Sequence, residues 1–284
     1  MKLQIIFHDK PSALAEFLHS SYLHSMTLDE VRLRRQQLGN PIEIGLIDVY
    51  SGYLSEFTKQ EKSWILHHMQ KFVGQLARKT HRLFPLKQPV GMIRLRSGPD
   101  WNFPYTINHC IVIPEAFLRK SMQESDPMWN EVICHEFIHI LQRNSHLYPD
   151  TAKFCQSVYT KLWGFRRSLH VRPGSRLFKK LVHVTNPDGY NYQWMVSING
   201  IEYWPTVIFH HGQPKGVLVD PHRSIVYELD QVKPYVDRFY GLKSQLYHPH
   251  EIYAHLVAKY MVHGHVYPVN SKNFYQSINN FYFN

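Results

Sequence analysis

Apolar side chains recur at mixed three- and four-residue spacing through residues 12–26, 27–38 and 58–84, the period of amphipathic helices. Thr27-Leu28-Asp29-Glu30 gives the second of these a capping-box-like start. Residues 2–7, ahead of them, read as a short strand. The period then changes, and residues 90–95 and 109–113 are short β-rich runs, the second closed by Pro114. Ser125-Asp126-Pro127 combines a capping residue with proline at the first helical position. Residues 128–143 continue without glycine or proline, which predicts a helix, and another is predicted over 150–165.

From 181 to 219 the chain is rich in Val, Ile, Tyr and Trp, interrupted by Asn186-Pro187-Asp188-Gly189 and by Asn199-Gly200. The second interruption lies between two alternating runs and predicts a hairpin in a small antiparallel sheet. Pro249 opens a helix expected to reach residue 262. The tail, rich in asparagine and aromatics, shows no clear period. With no fixed-period repeat, low-complexity tract or Gly/Ser linker, the expected fold is one α+β unit. Its parts would be a mainly helical region over residues 1–85 and a second region over 86–284.

Composition narrows the function classes. At 284 residues, with 44% apolar and 19% charged side chains, the chain is not of the disordered type. A net charge of +10 admits a nucleic-acid partner. The basic residues are scattered, however, and Arg32 to Arg35, Arg166-Arg167 and Lys179-Lys180 are short clusters. No RNP, KH or zinc-finger signature accompanies them, and the aromatics fall inside predicted helices and strands, where they read as core. A nucleic-acid partner therefore has no motif behind it. The three cysteines form no CxxC pair and suit a reducing compartment. Without an apolar leader or an 18-residue apolar run, a cytoplasmic or otherwise intracellular protein without a membrane span is expected.

Twenty residues are histidine, the commonest metal-ligating side chain. Two of them stand in Cys134-His135-Glu136-Phe137-Ile138-His139, in the middle of the helix predicted over 128–143. Residues four apart share one helix face, so His135 and His139 can aim ring nitrogens at one ion while Glu136 sits beside it. Without a metal, they would be hydrogen-bonded helix histidines next to a surface acid. Cys134 points about 100° away from His135 and reads as a small buried apolar residue. His210-His211 and His263-Gly264-His265 read as solvated loop histidines.

This segment resembles the HExxH zinc metallopeptidases, the zincins. The branch with HExxHxxGxxH requires Gly at 142 and His at 145, where this chain has Gln142 and Ser145. The pattern GTxDxxYG is also absent. His248-Pro249-His250-Glu251-Ile252-Tyr253-Ala254-His255 is similar to the gluzincin arrangement, in which a glutamate on a later helix completes the ligand set. The resemblance implies a zincin-like α+β fold, its HExxH helix beside a small, mainly antiparallel sheet. It implies one zinc per chain on His135, His139 and Glu251, with Glu136 as general base.

His255 would occupy the place behind a ligand histidine where the best-known gluzincins carry Asp. His250, His255 and Asp188 are the alternatives to Glu251, whose place in the first turn of a helix is also favoured by the helix dipole. The activity implied is hydrolysis of a protein or peptide substrate. Tyr190, His222 and Tyr253 are candidate oxyanion donors, and residues 109–113 fall where zincins have an edge strand able to pair with substrate. The competing expectations are a non-catalytic metal-binding or structural protein, and a basic nucleic-acid-associated protein.

Overall fold

A computed structural model describes residues 3–39, 45–78, 88–96, 99–123, 127–168, 182–186, 193–239, 242, 246–264 and 271–283. Strand β1 (Ile5–Phe7) is followed by helices α1 (Lys10–His19), α2 (Ser21–His24), α3 (Leu28–Gln37) and α4 (Leu46–Tyr53), short strand β2 (Leu54–Ser55) and α5 (Lys59–Ala77). Local chemistry sets these boundaries. Thr27 accepts from the Glu30 amide, and Thr58 and Glu61 form a reciprocal capping box. The helix expected over 12–26 breaks at Ser20, whose backbone is extended and whose hydroxyl bonds back to the Phe17 carbonyl.

After α5 the chain returns as β3 (Val90–Leu95), then β4 (Tyr105–Ile107) and β5 (Cys110–Pro114). The sheet order is β1-β3-β5-β4, with β2 pairing β3 off that path. β3 is parallel to both β1 and β5, whereas β4 is antiparallel to β5 and β2 to β3. The sheet is therefore mixed rather than mainly antiparallel, because a helical crossover brings β3 back in the direction of β1. The run expected at the edge, β5, lies inside the sheet. The edge is β4, a three-residue strand joined to β5 through Asn108 and His109.

Between β3 and β4, Asp100, Trp101 and Asn102 all adopt positive φ, at 55°, 54° and 61°. Such backbone persists only where surrounding contacts hold it. Asp100 supplies them. Its Oδ1 accepts from Tyr22 Oη at 2.5 Å, Tyr50 Oη at 2.8 Å and Arg34 Nη1 at 2.5 Å. Arg34 in turn pairs with Glu30 at 2.9 Å, and all three charged groups are buried.

The chain continues through α6 (Glu115–Gln123), α7 (Pro127–Arg143) and α8 (Pro149–Ser157). Ser125 and Asp126, the expected cap of α7, lie outside the described residues. The helix expected over 150–165 stops at Ser157. A single π-turn follows, then Gly164 at φ 71°, and strand β6 (Phe165–Ser168) starts.

The second sheet is wholly antiparallel, in the order β10-β9-β8-β7-β6, with β7 (Gln193–Ile198), β8 (Ile201–His210), β9 (Gln213–Asp220) and β10 (Ile225–Glu228). Asn199-Gly200 and His211-Gly212, all at positive φ, make its two-residue turns. Helices α9 (Lys233–Arg238), α10 (Pro249–His263) and α11 (Lys272–Tyr282) complete the described chain. No helix among the described residues is long and apolar enough to cross a membrane.

Helices α7 and α10 lie side by side at the centre. Ile133, Phe137, Ile138, Ile140 and Leu141 of α7 are fully buried with Ile252, Leu256 and Val257 of α10, against Met92, Ile111 and Ile113 of the first sheet. Each such side chain contributes about 1.5–3 kcal/mol on burial. This packing sets α7 and α10 face to face.

Candidate metal centre

Three donor atoms converge where α7 meets α10. His139 Nε2 lies 2.8 Å from His135 Nε2, and Glu251 Oε2 lies 3.1 Å from His135 Nε2 and 3.5 Å from His139 Nε2. Donors at ~2.0–2.1 Å from a tetrahedral zinc are spaced about 3.3 Å apart, so the triangle has the size such an ion requires. The chemistry also fits. Two imidazole nitrogens this close repel through their lone pairs unless a proton or a cation lies between them. His139 and Glu251 are buried and His135 nearly so. Burial alone would raise the Glu251 pKa, but His139 and His135 beside it hold the carboxyl well below its usual range.

Compared with known protein families, with curated proteins and with solved structures, the chain matches none.

Side chains behind the triangle aim its donors. The His139 Nδ1–H donates to Gln142 Oε1 at 2.8 Å. The Gln142 amide nitrogen donates to Tyr159 Oη at 2.8 Å and to the His250 carbonyl at 3.3 Å. A carbonyl can only accept, so it fixes the orientation of the Gln142 amide and hence the tautomer of His139, with its Nε2 lone pair toward Glu251. On the other side, Asn186 Nδ2 donates to Glu251 Oε1 at 2.8 Å and leaves Oε2 turned to the histidines. The neighbouring Thr185 is gripped by the buried Glu30 of α3, which accepts from its amide at 2.8 Å and its hydroxyl at 2.6 Å.

Glu136 is buried beside the edge strand. Thr106 of β4 donates its hydroxyl to Glu136 Oε2 at 2.8 Å, and Arg143 donates to the Thr106 carbonyl. That carbonyl is consequently engaged with α7, which limits what β4 can offer an added strand. Thr106 is an edge-strand residue that reaches Glu136, and its own sequence gives no hint of it.

Of the residues singled out by sequence, His135, His139 and Glu251 meet, and Glu136 adjoins them on α7. His255 does not buttress either histidine through a hydrogen bond: its buried Nε2 has no hydrogen-bond partner among the described residues, and Gln142 stands behind His139 instead. A residue four positions beyond Glu251 rides on α10, whereas position 142 follows His139 on its own helix. His250 turns its ring to Tyr159 and Trp194, away from the role of third ligand.

The oxyanion candidates fare differently. Tyr253 is fully buried with its hydroxyl 2.8 Å from that of Tyr282, and His222 sits on an exposed turn 3.3 Å from Glu202. Neither is directed at the triangle. Asp188, Tyr190 and His265 lie outside the described residues. Cys134 is buried, and burial pushes its thiol well above the usual range. His210 and His211 are exposed, and His263 is bonded to Glu131 at 2.9 Å.

Proposed function

We propose that this chain is a zinc-dependent metallopeptidase of gluzincin type with a zincin-like fold, acting on a protein or peptide substrate. The observation that carries the reading is the convergence of Glu251 with His135 and His139. The residues lie 116 and 112 positions apart in the chain, and their donor atoms lie within 4.8 Å of one another. His135, His139 and Glu251 would hold the ion. When bound, zinc polarises a carbonyl and brings the pKa of water toward ~7.

The remaining work falls to the chain. Glu136 accepts the proton of the attacking water and returns it to the leaving amine, with Thr106 steadying Oε2 throughout. Gln142 and Asn186 keep the donors in register before substrate arrives, which spares reorganisation during the reaction. Arg143 holds β4 against α7, so that Thr106 and Glu136 move as one piece.

The test combines zinc content with hydrolysis of a mixed peptide library by the full chain. Glu251→Ala should carry one zinc ion fewer than wild type, Glu136→Gln should carry as many, and both should lose hydrolysis. Equal zinc in wild type and Glu251→Ala would overturn the ligand set. Zinc lost as expected, but with no peptide cut by wild type, would favour the non-catalytic metal-binding alternative.

A further inference from the structure

Away from the α7–α10 triangle, a second set of ligand-type side chains meets on the opposite flank of the first sheet. His8 follows β1, Glu16 lies in the middle of α1, and Cys110 opens β5. Their donor atoms lie within 4.8 Å of one another, with His8 Nε2 3.5 Å from Cys110 Sγ. A tetrahedral zinc with sulfur at ~2.3 Å and nitrogen at ~2.0–2.1 Å places those two donors about 3.5 Å apart.

The sheet makes room for this meeting. Gly91 of β3 pairs directly with Cys110, and a Cβ there would lie 2.3 Å from Cys110 Sγ and 2.6 Å from His8 Nε2. Glycine inside a strand is unfavourable by roughly 0.5–1 kcal/mol, so a position that forgoes its side chain marks a close approach. Two neighbours fix the residues that carry the donors. The His8 amide donates to the Met92 carbonyl at 3.0 Å. Asn108 Nδ2 donates to Glu16 Oε2 at 2.8 Å and to the Glu16 carbonyl at 2.9 Å.

The geometry points to a second divalent-cation site, built from His8, Glu16 and Cys110, that binds zinc through a thiolate. A thiolate and a carboxylate bring two negative charges, which one divalent ion neutralises at a half-buried spot where only Cys110 is fully buried. Sulfur and imidazole together favour zinc over magnesium or calcium. The site clamps α1 and the end of β1 to the start of β5, and through Asn108 to the turn that carries the edge strand. The site itself does not depend on the peptidase reading, whereas the second ion counted in its test is the one assigned there to His135, His139 and Glu251.

Cobalt loading of the metal-free full chain separates the two sites, because only this one contains sulfur. Wild type should take up two cobalt ions per chain and show a near-ultraviolet thiolate-to-cobalt charge-transfer band. His139→Ala should keep the band and lose one ion. Cys110→Ser and His8→Ala should each lose the band and one ion. Wild type without the band, or a band that survives in Cys110→Ser, would overturn the proposal.

A measurement without variants guards against misfolded mutants. Titrating the thiols of the zinc-loaded wild-type chain with an organomercurial should release one zinc ion per chain. No release would overturn the proposal equally.

Discussion

Gln142 accepts the Nδ1–H of His139 at 2.8 Å while its own amide nitrogen reaches the carbonyl of His250, the residue just before Glu251. One side chain thus orients His139 on α7 and links it to α10, the helix that bears Glu251. Outer partners of this kind are worth about 10–100-fold in metal affinity. Gln142→Ala should weaken zinc binding by that factor without unfolding the chain, as read by competition with a chromogenic chelator. Unchanged affinity would mean that His139 needs no such partner.

The bond between Thr106 and Glu136 ties the proposed general base to the sheet edge. Glu136→Gln removes proton transfer and should lower kcat by about 10²–10⁴. Thr106→Val leaves the carboxylate in place but unsteadied, and should lower kcat by roughly tenfold with little change in KM. Peptide hydrolysis by the two variants, compared at equal zinc content, checks the ranking. Thr106→Val with wild-type kcat would remove Thr106 from the machinery.

Arg34 is shared by two buried carboxylates, Glu30 and Asp100. Arg34→Met leaves both without their cation, and uncompensated buried charge of this kind costs about 3–5 kcal/mol. The midpoint of urea denaturation should fall accordingly. Arg34→Met combined with Glu30→Gln should recover part of the loss, because the second change removes one of the stranded charges. A single variant as stable as wild type would show the network to be idle.

His183 stacks on Trp204. Burial and the nearby Arg34 guanidinium push its pKa down to about 4. Its unfolded value is ordinary, near 6.5, so between these values the unfolded chain binds the extra proton. Stability from this residue is complete above pH ~6.5 and is lost progressively as pH falls toward 4, by about 2–3 kcal/mol. Thermal denaturation of wild type and His183→Gln across this range should show a shallower acid slope in the variant. Parallel slopes would assign the acid sensitivity to other groups.

Legibility in the sequence followed the range of the interaction. Helix α7 begins at Pro127 and α10 at Pro249, as the prolines and uninterrupted patterns predict, and Asn199-Gly200 makes its hairpin turn. These are local signals. Helix α11 was hidden because asparagines and tyrosines blur its period. Only its burial of Phe274, Tyr275, Ile278 and Tyr282 reveals the stripe. Strand β4 is too short to show a period.

At the site, His135 and His139 are legible because one helix sets their spacing, and Glu251 because a resemblance suggested it. Gln142 and Asn186 were not. In the sequence, position 142 bears only on the HExxHxxGxxH branch, and Asn186 reads as part of an ordinary turn. Their partners come from elsewhere in the chain, which no local pattern encodes.

Glu30 of α3 grips Thr185, and the adjacent Asn186 grips Glu251. The early helices are thereby joined to Glu251, far from them in the chain. They could not be exchanged for those of another protein as a detachable module, since a substitute would have to present a carboxylate to Thr185 at the same spot. In lineages descended from this chain, positions 30, 185, 186 and 251 should therefore drift together, and a change at one should be tolerated only where another has already changed.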